Sequence, residues 1–518
     1  MSHPLVVANP LLTDPDVQAR QARAPLFEAL RDYAQKDMAP FHTPGHKQGR
    51  GIDPEMLELL GENVFKIDLT ELPEVDNLHD PDGVIKEAQE LAAEAHGADA
   101  SFFLVNGSTT GNNVMVMTVC DPGDRIIIPR NAHKSVLGGI ILSGARPAFV
   151  RPQWDDALCV AHGITPEDIE AALISYPDAK AVLLVHPTYF GGVADLKRIA
   201  DLCHAHGKPL LVDEAHGPHF HFHDGLPVSA IAAGADMAVQ STHKIVSGMT
   251  QASLLHVKQR LGANGKELIN VNRVRNVLQL IHSTSPSYVL LASLDVARRQ
   301  MALQGSRLLG ETLALAESAR QRLNAIEGVY VFGKERCQGG GLHDLDLTKL
   351  TINVTGLGMT GFMALDVLNE EFGIQSEMAT LHNVLLIVSI GNTARDLDRV
   401  IAAFEVLARR ARQFGTMGTA ALPTSLPLPT SLPEARLTPR DAFFAATDTI
   451  PFETSMGQVC AEIVAPYPPG IPILAPGEVI TDEAVAYLKV VHQMGGFING
   501  PEDVRLRTIK VVRASQTH

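Results

Sequence analysis

Between about residues 100 and 255 the chain alternates two kinds of apolar pattern. Short continuous runs come first: SFFLV (101–105), RIIIP (125–129), RPAFV (146–150), AVLLVHP (181–187), PLLVDEAHG (209–217) and ADMAVQSTHK (235–244). Between them lie longer segments such as SVLGGIILSG (135–144), TPEDIEAALISYP (165–177) and LKRIADLCHAHG (196–207). Runs without polar alternation suit strands buried on both faces, and the intervening segments suit helices. Thr165 and Pro166 supply an N-cap and an N1 proline, a helix start signal. The pattern predicts an α/β domain with a mostly parallel sheet and helices on both faces. In such sheets ligands bind beyond the carboxyl ends of the strands, which is where the polar clusters fall.

The flanks read differently. Residues 1–20 are expected to be a flexible tail. APLFEALRDYAQ (24–35) and GVIKEAQELAAEAHG (83–97) predict helices, the second ending on Gly97. MAPFHTPGHKQGRG (38–51) is too rich in Pro, Gly and His for either regular element. Residues 21–300 form the expected large domain and 301–415 a smaller α+β domain with long helices. The Pro/Ser/Thr-rich segment 416–439 reads as a linker, and 440–518 as a C-terminal domain.

Composition narrows the function classes. The 518 residues are 45% hydrophobic and 19% charged, with a formal net charge of −15. An acidic chain of this kind does not suit nucleic acid or an anionic membrane. Five well-separated cysteines without a C-x-x-C fit reduced thiols in a cytoplasmic setting. No signal peptide and no apolar run long enough to span a membrane are read.

Five polar clusters follow strand or helix ends. Asn106 to Gly111 (NGSTTG) offers small residues and hydroxyls before a helix N-terminus, a setting for an anion. Asn131 to Ser135 carries His133, which can stack on a flat ring or serve as an acid/base group. Asp213, at the end of a buried strand, needs a cation. Ser241, Thr242 and His243 precede Lys244; an amine that forms an imine must be neutral to attack. Ser283 to Tyr288 (STSPSY) brings more hydroxyls. Each alone also suits an ordinary turn or cap. Together they supply what pyridoxal 5'-phosphate requires: a phosphate cup, a stacking side chain, a carboxylate for the ring nitrogen and a lysine for the aldehyde. The competing reading is a metal hydrolase built on His216, His219, His221 and His223 of HGPHFHFHDG with Asp213 and Asp224. It leaves Lys244 and the hydroxyl cups without a task.

The sequence resembles the bacterial ornithine/lysine/arginine decarboxylases of the aspartate-aminotransferase fold (type I). The matching segments include PFHTPGHKQG (40–49), NGSTTGN (106–112), AHKS (132–135), DEAHGPHF (213–220), QSTHK (240–244), STSPSYVLLASLD (283–295) and YPPGIPILAPGE (467–478). It is most similar to the short biosynthetic arginine decarboxylases without an N-terminal wing domain. The resemblance implies that Lys244 carries the cofactor covalently and that Asp213 pairs with its ring nitrogen. It implies that His133 stacks on one face of the ring, with Ala215 under the other and His216 nearby. Ser108, Thr109, Ser241 and His243 would hold the phosphate. Ser285 and the PFHTPGHK segment would reach across a homodimer interface. Glu462 is the candidate for the distal cation of a basic amino acid. Ala132 and IVSGM (245–249) depart from the usual pattern without removing a chemical group; the second bears on loop packing beside the lysine and hence on substrate identity. The implied reaction is decarboxylation of L-arginine to agmatine in polyamine synthesis. Lysine or ornithine decarboxylation, or a type I aminotransferase or lyase, are the alternatives.

Overall fold

The computed structural model describes residues 14–262, 265–414, 432–467 and 470–514. The described residues fall into two compact units that interleave along the chain, one from segments 1–118 and 211–310, the other from 119–210 and 311–518. The α/β expectation holds, and most of the expected elements appear within a few residues of their sequence boundaries.

In the first unit, strand Ala100–Leu104 runs antiparallel to Ser253–Val257, which runs antiparallel to Met237–Gln240. Met237–Gln240 is parallel to Leu210–Asp213. Helix Val84–His96 ends on Gly97 in the left-handed conformation (φ 69°), where a Cβ would be strained. Its apolar face, with Ile85, Ala88 and Ala92, packs on Leu26, Leu30, Phe103, Leu254, Tyr288 and Leu291. Residues 15–21 form a helix and not the expected loose tail. Asp14 caps it, Pro15 starts it and Arg20 pairs with Glu94 at 2.5 Å. Residues 1–13 of the expected tail lie outside the described residues.

A 37-residue helix, Tyr288–Asn324, carries the chain from the first unit into the second. Two glycines fall inside it without breaking it. A Cβ at Gly305 would lie 2.9 Å from the Phe222 side chain, so close packing selects glycine there.

In the second unit, Arg125–Pro129 pairs in parallel with both Arg146–Val150 and Ala181–Val185. Helix Pro166–Ser175 has Thr165 as its cap, as the sequence suggested. A separate antiparallel sheet joins Tyr330–Val331, Lys349–Asn353, Asn383–Ile387 and Met378–Ala379. Its core contains Leu350, Ile352, Val384, Phe404 and Leu407. Towards the C-terminus, Thr447–Pro451 pairs with Thr508–Val512 around a core of Phe452, Val464, Leu474, Leu488 and Ile498. Of the expected linker, 416–431 lies outside the described residues, and its last two residues already belong to a helix start, with Thr438 capping Pro439–Phe444.

Candidate active site

The glycine-rich stretch NGSTTG is not a turn before a helix; it is the start of one. Helix Gly107–Val119 begins at Gly107, whose φ is +69°. The Gly107 amide donates to the Gln251 carbonyl at 2.9 Å, the next N–H groups of the first turn have no partner within the helix, and the positive end of its dipole adds to them. Ser108 is buried there, with its Oγ 2.7 Å from Ser241 Oγ and 3.4 Å from Ser253 Oγ. Three hydroxyls thus converge at one helix N-terminus, a cup suited to an anion. Thr109 and Ser285 are exposed and make no side-chain hydrogen bond among the described residues.

Asp213 closes strand Leu210–Asp213 at 4% exposure. Its Oδ2 accepts a 2.8 Å hydrogen bond from Asn112 Nδ2, and its Oδ1 accepts one from the Ala215 amide at 3.2 Å. Among the described residues it has no cationic partner. A buried carboxylate held only by neutral donors is poorly compensated and favours a cation beside it. Ala215 and Ser241 adjoin through a 3.3 Å hydrogen bond from the Ser241 amide to the Ala215 carbonyl.

Lys244 lies on the short helix Thr242–Ile245, one turn beyond strand Met237–Gln240. Its Nζ is 2.9 Å from His216 Nε2. His243 donates from Nδ1 to the Ala252 carbonyl at 3.0 Å, which leaves Nε2 as its acceptor nitrogen in the neutral ring. Thus Ser108, Asp213, Ala215, Ser241, His243 and Lys244, with His216, are gathered at strand ends of the first unit.

His133 and Glu462 belong to the second unit. His133 caps helix Lys134–Ser143, its Nδ1 accepting from the Ser135 amide and lying 2.8 Å from Ser135 Oγ. An imidazole thus replaces the usual hydroxyl or carboxylate cap. The C-terminal segment pins this loop: Arg130 pairs with Glu478 and donates to the Ile473 carbonyl at 2.8 Å, and Lys134 Nζ donates to Asn499 Oδ1 at 2.9 Å. Glu462 is buried in the C-terminal part of this unit. Its Oε1 accepts from the Glu502 amide at 2.7 Å and its Oε2 from the Lys510 amide at 2.8 Å. Both oxygens thus satisfy backbone donors that would otherwise be unpaired, a structural task for Glu462.

The histidines of HGPHFHFHDG turn to separate neighbours. His216 meets Lys244, His221 lies 3.2 Å from Ser229 Oγ, and His223 accepts from the Gly225 amide at 2.9 Å. Among the described residues no group of three His, Cys, Asp or Glu is placed to hold a metal ion.

Two features escaped the sequence reading. One is Asn112. The other is a buried polar chain behind the site: Glu214 accepts from the Ala230 amide and from Gln240 Nε2, Gln240 Oε1 meets His256 Nε2 at 3.1 Å, and His256 Nδ1 meets Ser101 Oγ at 2.7 Å. Burial raises the Glu214 carboxyl to about 8. The His256 ring stacks on His96 at 4.3 Å, and burial lowers His96 to about 3.

Comparison with known proteins fits this geometry. Residues 24–396 match the Orn/Lys/Arg decarboxylase major domain, and 427–501 match the C-terminal domain of the same family. An arginine decarboxylase of Halalkalibacterium halodurans is 45% identical over 96% of this chain and 99% of its own length. An arginine decarboxylase of Bacillus subtilis is 45% identical over 95% of this chain and 98% of its own. The crystal structure of a Francisella novicida lysine decarboxylase superposes with a TM-score of 0.80 at 23% identity, covering 95% of this chain and 82% of that one. The fold is therefore the expected type I α/β fold, and the chain belongs to the Orn/Lys/Arg decarboxylase family.

Proposed function

We propose that this protein is a pyridoxal 5'-phosphate-dependent arginine decarboxylase, converting L-arginine to agmatine and CO2. Full-length likeness to proteins named arginine decarboxylase carries the choice of substrate. The buried Asp213 without a cation carries the choice of cofactor, because a protonated pyridine nitrogen supplies the missing charge. The cup of Ser108, Ser241 and Ser253 suits the phosphate, and Lys244 is the amine for covalent attachment. When bound, the cofactor provides the electron sink that takes up the pair left by departing CO2.

The chain's own residues do the rest. The hydroxyl cup and helix N-terminus fix one end of the site, and Asp213 fixes the other. By the family resemblance, His133 would stack on the cofactor ring and Ala215 would lie under a face of it. Lys244 Nζ, beside His216, exchanges a proton at the position where Cα must gain one after CO2 leaves. The buried lining keeps water from competing for that proton.

The site works as a homodimer in this reading. Phe41, within PFHTPGHK, is 95% exposed and Leu59 is 82% exposed, apolar side chains that suit a second copy of the chain. No helix among the described residues is long and apolar enough to cross a membrane, and we place the enzyme in the cytoplasm, in polyamine synthesis.

The test is a product survey. Protein loaded with the cofactor is incubated separately with arginine, lysine and ornithine, and CO2 and the amine are identified by mass. Agmatine is expected. Cadaverine or putrescine in its place would keep the chemistry and overturn the substrate. A keto acid without CO2 would point to transamination. Lys244→Ala is expected to abolish turnover, and borohydride reduction of the wild type should add the cofactor's mass to the peptide bearing Lys244.

A further inference from the structure

We infer that Asn112 is a positioning residue for the reaction. It holds the Asp213 carboxylate in register with the anion cup, from a helix that Gly111 seats against the sheet. This rests on the reading of Asp213 as the partner of the ring nitrogen.

Three observations carry it. First, the contact is direct and sealed. Asn112 is 1% exposed, and its Nδ2 donates to Asp213 Oδ2 at 2.8 Å. An ionised carboxylate has no hydrogen to give, so the amide nitrogen must face it. With the Ala215 amide on Oδ1, each oxygen is held by one neutral donor, which fixes the plane of the carboxylate. A lysine or arginine in Asn112's place would hold it too, but would satisfy the charge that the ring nitrogen has to satisfy.

Second, Ser108 and Asn112 are four residues apart on one helix, so they share a face about 6 Å apart along the axis. Ser108 bonds Ser241 and Asn112 bonds Asp213. The same helix face therefore ties the anion cup to the carboxylate and sets the span between them.

Third, the helix lies too close for a side chain at Gly111. A Cβ there would sit 2.3 Å from Val239 Cγ2 and 3.0 Å from Leu104 Cδ1. Val239 is fully buried on strand Met237–Gln240 and cannot yield. The missing side chain next to Asn112 is what lets its amide reach Asp213.

Two substitutions separate positioning from mere packing. Asn112→Leu keeps the volume and removes the donor. Asn112→Asp keeps the shape and makes the donor depend on pH: protonated, it donates to Asp213 as the amide does; ionised, it repels it. We expect Asn112→Leu to lower kcat by about 10- to 100-fold, with KM for arginine changed far less and the cofactor bound more weakly. Asn112→Asp should match it at neutral pH and recover activity and the wild-type cofactor absorbance band towards acid pH, a limb absent from wild type and from Asn112→Leu. Circular dichroism and melting of each cofactor-free protein check folding. If the wild type loads while both variants keep wild-type kcat, cofactor affinity and pH profile, the inference is overturned and the site reading stands. Equal loss of activity in both variants, with no acid recovery, overturns it in the same way. If the wild type takes up no cofactor, the reading beneath it falls as well.

Discussion

Lys244 Nζ and His216 Nε2 lie 2.9 Å apart, and a hydrogen bond between two nitrogens requires that just one of them hold the shared proton. In the proposed reaction the imidazole is therefore a proton partner for an amine that must be neutral to attack and charged to deliver. Replacing His216 with Gln keeps a polar side chain that cannot exchange a proton near neutrality. We expect His216→Gln to lose about 100-fold in kcat and to flatten one limb of the pH–rate profile. Borohydride trapping at Lys244 should still succeed. Unchanged kcat and an unchanged profile would remove His216 from the chemistry.

Gly111→Ala tests the seating of the helix by stability. Its Cβ would meet Val239 Cγ2 at 2.3 Å, so helix and strand must separate. Overpacking of this kind costs about 1–3 kcal/mol, read as a lower urea midpoint at unchanged m-value. Val239→Ala alone should also destabilise, by opening a cavity. Combined, the two changes should cost less than their sum, because the new methyl fills the space the valine vacates. Strict additivity in a double-mutant cycle would mean that the two side chains do not compete for one space.

The strand–helix alternation and the polar groups at strand ends were legible because both are local: a run of four or five apolar residues followed by Asp213 or by Ser241 to Lys244 announces its own position. Asn112 was not, since its meaning lies in a partner 101 residues away and nothing in GNNVMV distinguishes it from Asn113. The structural ties of Glu462 were hidden for the same reason. Its partners, 40 and 48 residues downstream, are backbone amides, which leave no mark on the sequence. The helix at Pro15–Gln21 was readable from Asp14 and Pro15, but its anchoring to Glu94 was not.

That anchoring continues inward and gives a further prediction. Asp295 and Arg298 are both fully buried and paired at 2.6 Å. Asp295 Oδ2 accepts from the Leu26 and Phe27 amides, capping helix Pro25–Ala34, while Arg298 donates to the carbonyls of Gln21 and Arg23. The pair thus satisfies the broken backbone between the two N-terminal helices. Asp295→Ala leaves a buried guanidinium uncompensated and is expected to cost about 3–5 kcal/mol. Limited proteolysis should then cut first near residues 21–24. Cleavage elsewhere, with the N-terminal helices protected, would show that apolar packing alone holds them.

The buried polar chain behind the site predicts how stability depends on pH. Burial raises Glu214 from 4.5 to about 8, so between those values the folded protein holds a proton that the unfolded chain has lost. Stability from this group therefore falls as pH rises from about 4.5 through about 8. His96 and His221 act in the opposite sense. Burial lowers them from 6.5 to about 3 and about 4, so below about 6.5 the unfolded chain binds protons that the fold refuses, and stability falls as pH falls. The two effects leave a maximum on the acid side of neutrality. Glu214→Gln removes the first effect and keeps the second. Its neutral amide can still accept from the Ala230 N–H, provided Gln240 turns its own amide over to offer Oε1. Urea midpoints measured from about pH 5 to about pH 9 should decline on the alkaline side in wild type and stay nearly level in Glu214→Gln. Parallel alkaline declines in the two proteins would mean that Glu214 is already ionised in the fold and that other groups set the alkaline limit.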